Sequence, residues 1–194
     1  MDKSRISDEM REILTFFAAG YTRQQIVDTT QIALKTLDMY IADTYRILDV
    51  NNVTDALNEA WRQKLISSED MFQKKSDLFP ERTPEIIWEK FSALSDREKS
   101  VADATTHLGT HSAIAGHLNI SVGTLSGSHL FRIYRKMGYA QTEENDPTNK
   151  VFSKKKGDSR LNQLRSDMKV LQLCKREDYY QALQTAEQSY YKTR

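Results

Sequence analysis

Apolar residues in the first part of the chain recur at three- or four-residue spacing, which is typical of the buried face of a helix. The first such run ends at Gly20, a residue common just past a helix end. Thr22 and Gln25 have the spacing of a capping box, so we predict that a second helix begins there. The pattern then predicts a third helix with Leu37, Ile41, Thr44 and Leu48 facing inward, and a fourth with Ala56, Leu57, Ala60, Trp61 and Leu65.

The chain repeats this pattern once. Shifted by 88 positions, residues 7–37 align with residues 95–125 without a gap. Beyond them the shift becomes 89, so we predict one inserted residue near 126–128. Identical pairs are Ser7 and Ser95, Asp8 and Asp96, Thr22 and Thr110, Ile26 and Ile114, Ile32 and Ile120, Thr36 and Thr124, Leu37 and Leu125, Tyr45 and Tyr134, and Arg46 and Arg135.

The repeat divides the chain into tandem small units, because a solenoid needs about three or more stacked repeats. Repeat one covers residues 1–66 and repeat two covers 91–140. Between them, residues 67–90 carry enough apolar side chains to predict a packed helical connector, with Thr83 capping a helix that begins at Pro84. Residues 141–158 are polar and basic, which predicts an exposed linker, and residues 159–194 have helical spacing.

Both repeats carry the landmarks of one known pattern. In repeat two, Leu94-Ser95-Asp96-Arg97-Glu98 opens the pattern, Ile120-Ser121 and Thr124-Leu125 continue it, and Lys136-Met137-Gly138-Tyr139 closes it. These landmarks resemble the LuxR-type (GerE-like) DNA-binding domain over roughly residues 6–66 and 91–140. The corresponding landmarks of repeat one are Ile6-Ser7, Ile13-Leu14, Gly20, Ile26-Val27, Ile32-Ala33, Thr36-Leu37 and Leu48-Asp49-Val50.

The resemblance implies an all-α fold: two tandem four-helix helix-turn-helix units of the winged-helix-like LuxR C-terminal type, plus a C-terminal helix. It implies that the third helix of a unit enters the major groove of double-stranded DNA. The expected function is sequence-specific transcription regulation, of bacterial or phage origin, without catalysis. Candidate DNA contacts are Ser121, Thr124, Ser126, His129, Arg132, Arg135 and Lys136 in repeat two, and Lys35, Thr36 and Arg46 in repeat one.

Each repeat also departs from the pattern. In repeat one, Ala33 stands where the family has a capping Ser, and Asp38 and Asp43 would repel phosphates. The alternative hypothesis is therefore a protein-interaction regulator, in which degenerate units bind another transcription factor or RNA polymerase. A sigma-like subunit is a weaker third possibility. In repeat two, Gly123 and Gly127 lie inside the predicted recognition helix with the inserted residue, so that helix is expected to bulge or to start late.

Composition changes the picture little. Lys plus Arg number 28 and Asp plus Glu 27 in 194 residues, so binding to a polyanion must come from a local patch. From Ser92 to Ala140 there are five Lys or Arg against three Asp or Glu, which makes repeat two the better candidate for DNA. Cys174 is the only cysteine, and neither a secretory signal nor a membrane span is evident, so we expect a cytoplasmic protein.

Other chemistry has little support in the sequence. Asp103, His107 and His111 have four-residue spacing, but the predicted turn at 108–110 separates them, so no metal is predicted. No phosphate loop, nucleophile elbow or paired carboxylate motif is present, and neither an enzyme nor a cofactor is expected.

The sequence predicts an apolar face on the C-terminal segment but does not decide what packs against it. Residues 159–194 either form a homodimer contact or pack back on the repeats of the same chain. The heptad pattern is lost at Lys175 and Asp178, which argues against a long coiled coil.

Overall fold

The computed structural model describes residues 6–139 and 154–192, and every regular element within those ranges is a helix. The predicted all-α class is therefore confirmed. The chain forms two compact units, Met1–Pro80 and Glu81–Arg194. The boundary falls inside the predicted connector, which is helical on both sides of Pro80 and buries Met71 and Ile87.

Within residues 6–80, the first unit consists of five helices. Thr22 and Gln25 form the predicted capping box, in which each side chain accepts a hydrogen bond from the backbone of the other residue. Helix α1 lies against α3, α4 and α5, and α2 lies against α3. The helices are α1 (Asp8–Ala19), α2 (Arg23–Thr30), α3 (Leu34–Leu48), α4 (Val53–Arg62) and α5 (Ser68–Leu78).

The second unit begins with α6 (Pro84–Ser92), whose first residue is the predicted proline behind the Thr83 cap. Next come α7 (Asp96–His107) and α8 (His111–His117), whose N-terminal caps are Ser95 and Thr110. Then α9 (Val122–Thr124), a π-helical turn (Leu125–Leu130) and α10 (Phe131–Met137) follow one another without a break. We call this continuous helix, residues 122–137, the α9–α10 helix. The last elements are α11 (Lys154–Cys174) and α12 (Arg176–Lys192).

The sequence repeat recurs in the backbone. Helix α1 corresponds to α7 and α2 to α8 at the offset of 88, and α3 corresponds to the α9–α10 helix. The positive φ angles recur as well, at Gln31 (58°) and Asn119 (52°) after the second helix, and at Asp49 (54°) and Gly138 (72°) after the third. The counterpart of α4 in repeat two would fall near residues 142–151, outside the described residues.

The C-terminal segment packs within its own unit. Helix α11 lies against α6 and α7, and α12 lies against α7. A break at Lys175 separates the two helices, where the heptad pattern fails. Helix α11 already begins at Lys154, inside the segment predicted as a linker; the preceding residues 140–153 lie outside the described residues. The apolar side chains that are buried in these two helices are Leu161, Leu164, Met168, Val170, Leu171, Tyr179 and Ala186.

A buried ion pair anchors the end of the α9–α10 helix. Two nitrogens of the Arg82 guanidinium donate hydrogen bonds to the Asp167 carboxylate, and the third donates one, 3.1 Å long, to the carbonyl oxygen of Met137. The Tyr139 hydroxyl donates to the same carboxylate at 2.9 Å, and the guanidinium carbon lies 4.6 Å from the centre of the Tyr139 ring. Residues from three separate parts of the unit thus hold one helix end.

Candidate nucleic-acid interface

One side of the α9–α10 helix is core and the other is open to solvent. Four side chains spaced along it, Leu125, Leu130, Ile133 and Met137, are almost completely buried. This packing fixes the helix on α7 and α8. Of the predicted contact residues in repeat two, His129 is half-buried, and the exposed ones are Ser121, Thr124, Ser126, Arg132, Arg135 and Lys136.

Ser121 caps the start of the helix. Ser121 Oγ accepts a hydrogen bond of 3.0 Å from the backbone N–H of Thr124, and the two hydroxyls lie 2.8 Å apart. The Ser126 hydroxyl donates to the carbonyl oxygen of Val122 at 2.9 Å. These bonds fix the hydroxyls at the start of the helix and leave lone pairs available to a partner.

The π turn explains how the inserted residue is accommodated. Leu125 and Leu130 are five positions apart and both are buried, whereas their counterparts Leu37 and Ile41 are four positions apart. A regular α-helix has 3.6 residues per turn, so a side chain five positions after Leu125 would point away from the core. The predicted bulge is therefore present, and it keeps the inward face continuous.

The charge of this region is of one sign. Residues 110–139 contain no Asp or Glu. Arg132 and Arg135 are exposed, and neither forms an ion pair with a carboxylate in the described part of the chain. Phosphate oxygens could therefore approach both guanidinium groups without meeting a negative side chain of this segment.

Lys136 differs from the two arginines. Its Nζ lies 2.6 Å from the carboxylate of Glu98, which is buried and also accepts a hydrogen bond from the Ser95 backbone. Burial alone would raise the pKa of Glu98, but the hydrogen bonds from Lys136 and Ser95 outweigh it, and the pKa lies below its usual value. Lys136 thus neutralises a buried carboxylate, which leaves it less available to DNA than the sequence suggests.

His129 lies within the π turn. Burial, and then the nearby positive charges of Arg97 and Arg132, lower the pKa of His129 below its usual value. The imidazole is therefore neutral at pH 7, with one nitrogen able to donate and one able to accept a hydrogen bond.

The corresponding surface of repeat one is built differently. Lys35 is exposed and Thr36 is half-buried, but Arg46 is paired with Asp43 at 2.9 Å. Arg23, on α2, lies 3.6 Å from Asp38. The three predicted contacts of repeat one therefore do not gather into a positively charged surface.

Four exposed apolar side chains that were not predicted as contacts also lie on these third helices. Val122 and Phe131 are exposed on the α9–α10 helix, where apolar groups could contact thymine methyl groups. On α3, Leu34 is 48% exposed and Met39 is 53% exposed. The repeat offset of 88 pairs Leu34 with Val122 and was the signal that could have drawn attention to both.

The histidine-rich part of repeat two does not assemble a metal centre. His107 lies 3.7 Å from Asp103, which also accepts a hydrogen bond from the Tyr179 hydroxyl, whereas His111 begins the next helix. Within residues 6–139 and 154–192, no group of three or more His, Cys, Asp or Glu side chains could hold a metal ion. In the same ranges, no helix has the length and apolarity needed to cross a bilayer.

Comparison with known proteins gave no match to this chain among family models, curated proteins or solved structures.

Proposed function

We propose that the chain is a sequence-specific transcription regulator that binds double-stranded DNA through repeat two. In this proposal the α9–α10 helix enters the major groove, as the resemblance of its landmarks to the LuxR-type domain implies. Ser121, Thr124 and Ser126 contact base edges or phosphates, and Arg132 and Arg135 supply the positive charge.

One observation carries the proposal. The open side of the α9–α10 helix carries two arginines that form no ion pair within residues 6–139 and 154–192, and the surrounding segment, 110–139, has no carboxylate. Neutralised phosphates supply much of the affinity for DNA, and a carboxylate near the backbone opposes it. A helix surface that served solubility alone would be expected to mix charges of both signs.

A salt-titrated selection from a random duplex pool tests this function. A DNA-binding regulator enriches one motif, and the logarithm of its affinity falls with the logarithm of salt by about 0.9 for each phosphate contacted. Replacing Arg132 and Arg135 together by Ala should weaken binding by roughly tenfold to hundredfold per arginine and leave folding intact.

Arg176→Ala is the control, because Arg176 is an exposed arginine of the same unit on α12, and its loss removes one positive charge, as each of the two substitutions does. Wild-type affinity in the double variant would show that the chosen surface is wrong. The absence of both a motif and a salt slope would contradict DNA binding altogether.

A second function is favoured for repeat one. Leu34 and Met39 expose apolar surface on α3, beside an arginine that is already paired with an aspartate. These features suit contact with another regulator or RNA polymerase better than contact with phosphates. Pull-down of purified RNA polymerase by the full chain, compared with Met39→Lys, distinguishes this function from DNA binding by repeat one.

The homodimer predicted through residues 159–194 stays a prediction. Most apolar side chains of that segment are buried within the unit, and Leu173 and Tyr180 are the large apolar ones that remain exposed among its described side chains. Sedimentation of the full chain measures the oligomeric state directly.

A further inference from the structure

The π turn changes the outward side of the α9–α10 helix while the inward side stays the same. Residues 126–129 lie between the buried Leu125 and Leu130, whereas only residues 38–40 lie between the corresponding Leu37 and Ile41. The additional residue is therefore added to the side that faces solvent.

The fold does not require this extra residue. Helix α3 presents the equivalent inward side chains from a helix that is α-helical throughout its length. π-helical turns are rare, and they occur frequently at functional sites. A regular α-helix shorter by one residue would fill the same place in the core.

Gly127 is also not explained by packing or by backbone conformation. A Cβ atom at this position would meet nothing within 4 Å. Its φ lies outside the left-handed region, which among the described glycines only Gly20 and Gly138 adopt. An interior glycine lowers helix stability relative to alanine, so this residue weakens the helix without serving a contact inside the chain.

Polar residues lie on both sides of Gly127 along the helix. Ser126 precedes Gly127 and is exposed, with its hydroxyl bonded back to Val122. His129 lies within the turn and is half-buried, and Arg132 follows the turn and is exposed. The widened turn is therefore the middle of the proposed DNA-binding surface and not its edge.

We propose that the π turn determines sequence specificity, by holding the uncovered backbone at 126–127 against base edges in the major groove. This inference rests on the proposed function. Close approach of the backbone brings the hydroxyls of Ser126 and Ser128 within reach of the donors and acceptors of the bases. Arg132 and Arg135 then bind phosphates, which provide affinity but little sequence information.

Deletion of Gly127 tests the inference, because it should convert the π turn into a regular helix like α3 and keep Arg132 and Arg135 on the same face. We expect affinity for the selected motif to fall at least tenfold, while affinity for unrelated duplex and the salt slope stay within about twofold of wild type.

Gly127→Ala keeps the chain length and decides the question if the deletion variant does not fold. It should weaken binding to the motif and leave non-specific binding unchanged. Gly116→Ala is the matched control, since a Cβ there also meets nothing within 4 Å and the residue lies on α8.

The outcomes separate the two proposals. If the wild-type chain selects a motif and the folded variants at Gly127 bind it equally well, the π turn has no role in specificity and DNA binding stands. An equal loss in Gly116→Ala would also overturn the inference, because the effect would then not belong to the π turn. If the wild-type chain binds no duplex at any salt concentration, both proposals are overturned.

Discussion

Helix α3 and the α9–α10 helix bury matching inward positions but differ in the charges of their outward sides, which are mixed on α3 and only positive on the α9–α10 helix. Residues 22–50 of repeat one contain four aspartates against three basic residues, whereas residues 110–139 of repeat two contain no acid. The difference arises at matched positions, because core packing constrains the inward residues and leaves the outward ones free to change. Outward pairs at the repeat offset are Asp28 and Gly116, Lys35 and Gly123, Asp38 and Ser126, and Asp43 and Arg132.

The two helices also differ in how their ends are held. Removing the buried ion pair that holds the end of the α9–α10 helix should have the largest effect on the free energy of unfolding. Asp167→Ala leaves the Arg82 guanidinium buried without its carboxylate, and loss of one partner of a buried pair costs about 3–5 kcal/mol. We expect the free energy of unfolding of the second unit to fall by that amount and that of the first unit to stay unchanged. Hydrogen exchange resolved by residue measures both units in one sample.

The exposed pair of repeat one provides the control for this prediction. Asp43→Ala removes the partner of Arg46, whose side chain is 57% exposed, so the change in unfolding free energy should stay below about 1 kcal/mol. Equal effects of the two substitutions would contradict the view that only the second unit depends on a buried ion pair at the end of its third helix.

Exchanging the charges at one matched position should have the next largest effect, which is on DNA affinity. Arg132→Asp gives repeat two the residue that repeat one has at the same place, and it puts a carboxylate beside the phosphates. We expect DNA affinity at moderate salt to fall by about a hundredfold, since one attraction is replaced by a repulsion. Fluorescence anisotropy with a labelled duplex carrying the selected motif measures the loss.

The reverse exchange sharpens the comparison. Asp43→Arg gives repeat one the arginine of repeat two, but Asp38 still faces Arg23, and the π turn is absent. We therefore expect a gain of at most a few-fold in non-specific binding and no new motif. A folded Arg132→Asp variant with wild-type affinity would show that the charge of the α9–α10 helix does not contribute to DNA binding.

Local features of this molecule could be predicted from the sequence, and long-range pairings could not. The caps at Thr22, Ser95 and Thr110 depend on residues three positions apart, and the bulge was evident as a change of offset within one helix. Arg82 and Asp167 are 85 positions apart and no periodicity connects them. The side chains of the candidate surface could be named in advance, but not which of them are already paired.

Lys136 illustrates that limit. The resemblance to the LuxR-type pattern predicted this lysine at the end of a recognition helix, where its charge would make it a phosphate contact. The structure pairs it instead with Glu98, 38 positions earlier. The counterpart of Glu98 in repeat one is Met10, which is also buried, so the repeat itself gave no sign of the ion pair.

The smallest effect should come from the N-terminal caps of the third helices. Ala33 precedes α3 with the extended backbone of a cap, φ −68° and ψ 144°, but without a side-chain hydrogen bond, whereas Ser121 makes that bond. Ala33→Ser should therefore stabilise repeat one by about 1 kcal/mol, and Ser121→Ala should destabilise repeat two by a similar amount. Hydrogen exchange of α3 and of the α9–α10 helix measures the two changes separately.

The double variant makes this prediction specific to the caps. If each substitution acts only on its own helix, the variant that carries both should show a raised protection in α3, a lowered protection in the α9–α10 helix and the sum of the two single effects within about 0.5 kcal/mol. A gain in α3 from Ala33→Ser with no loss from Ser121→Ala would mean that the Ser121 hydroxyl is not needed for helix stability. That hydroxyl would then be placed at the start of the helix for a partner, and binding of the Ser121→Ala variant to the selected duplex would be the measurement that shows it.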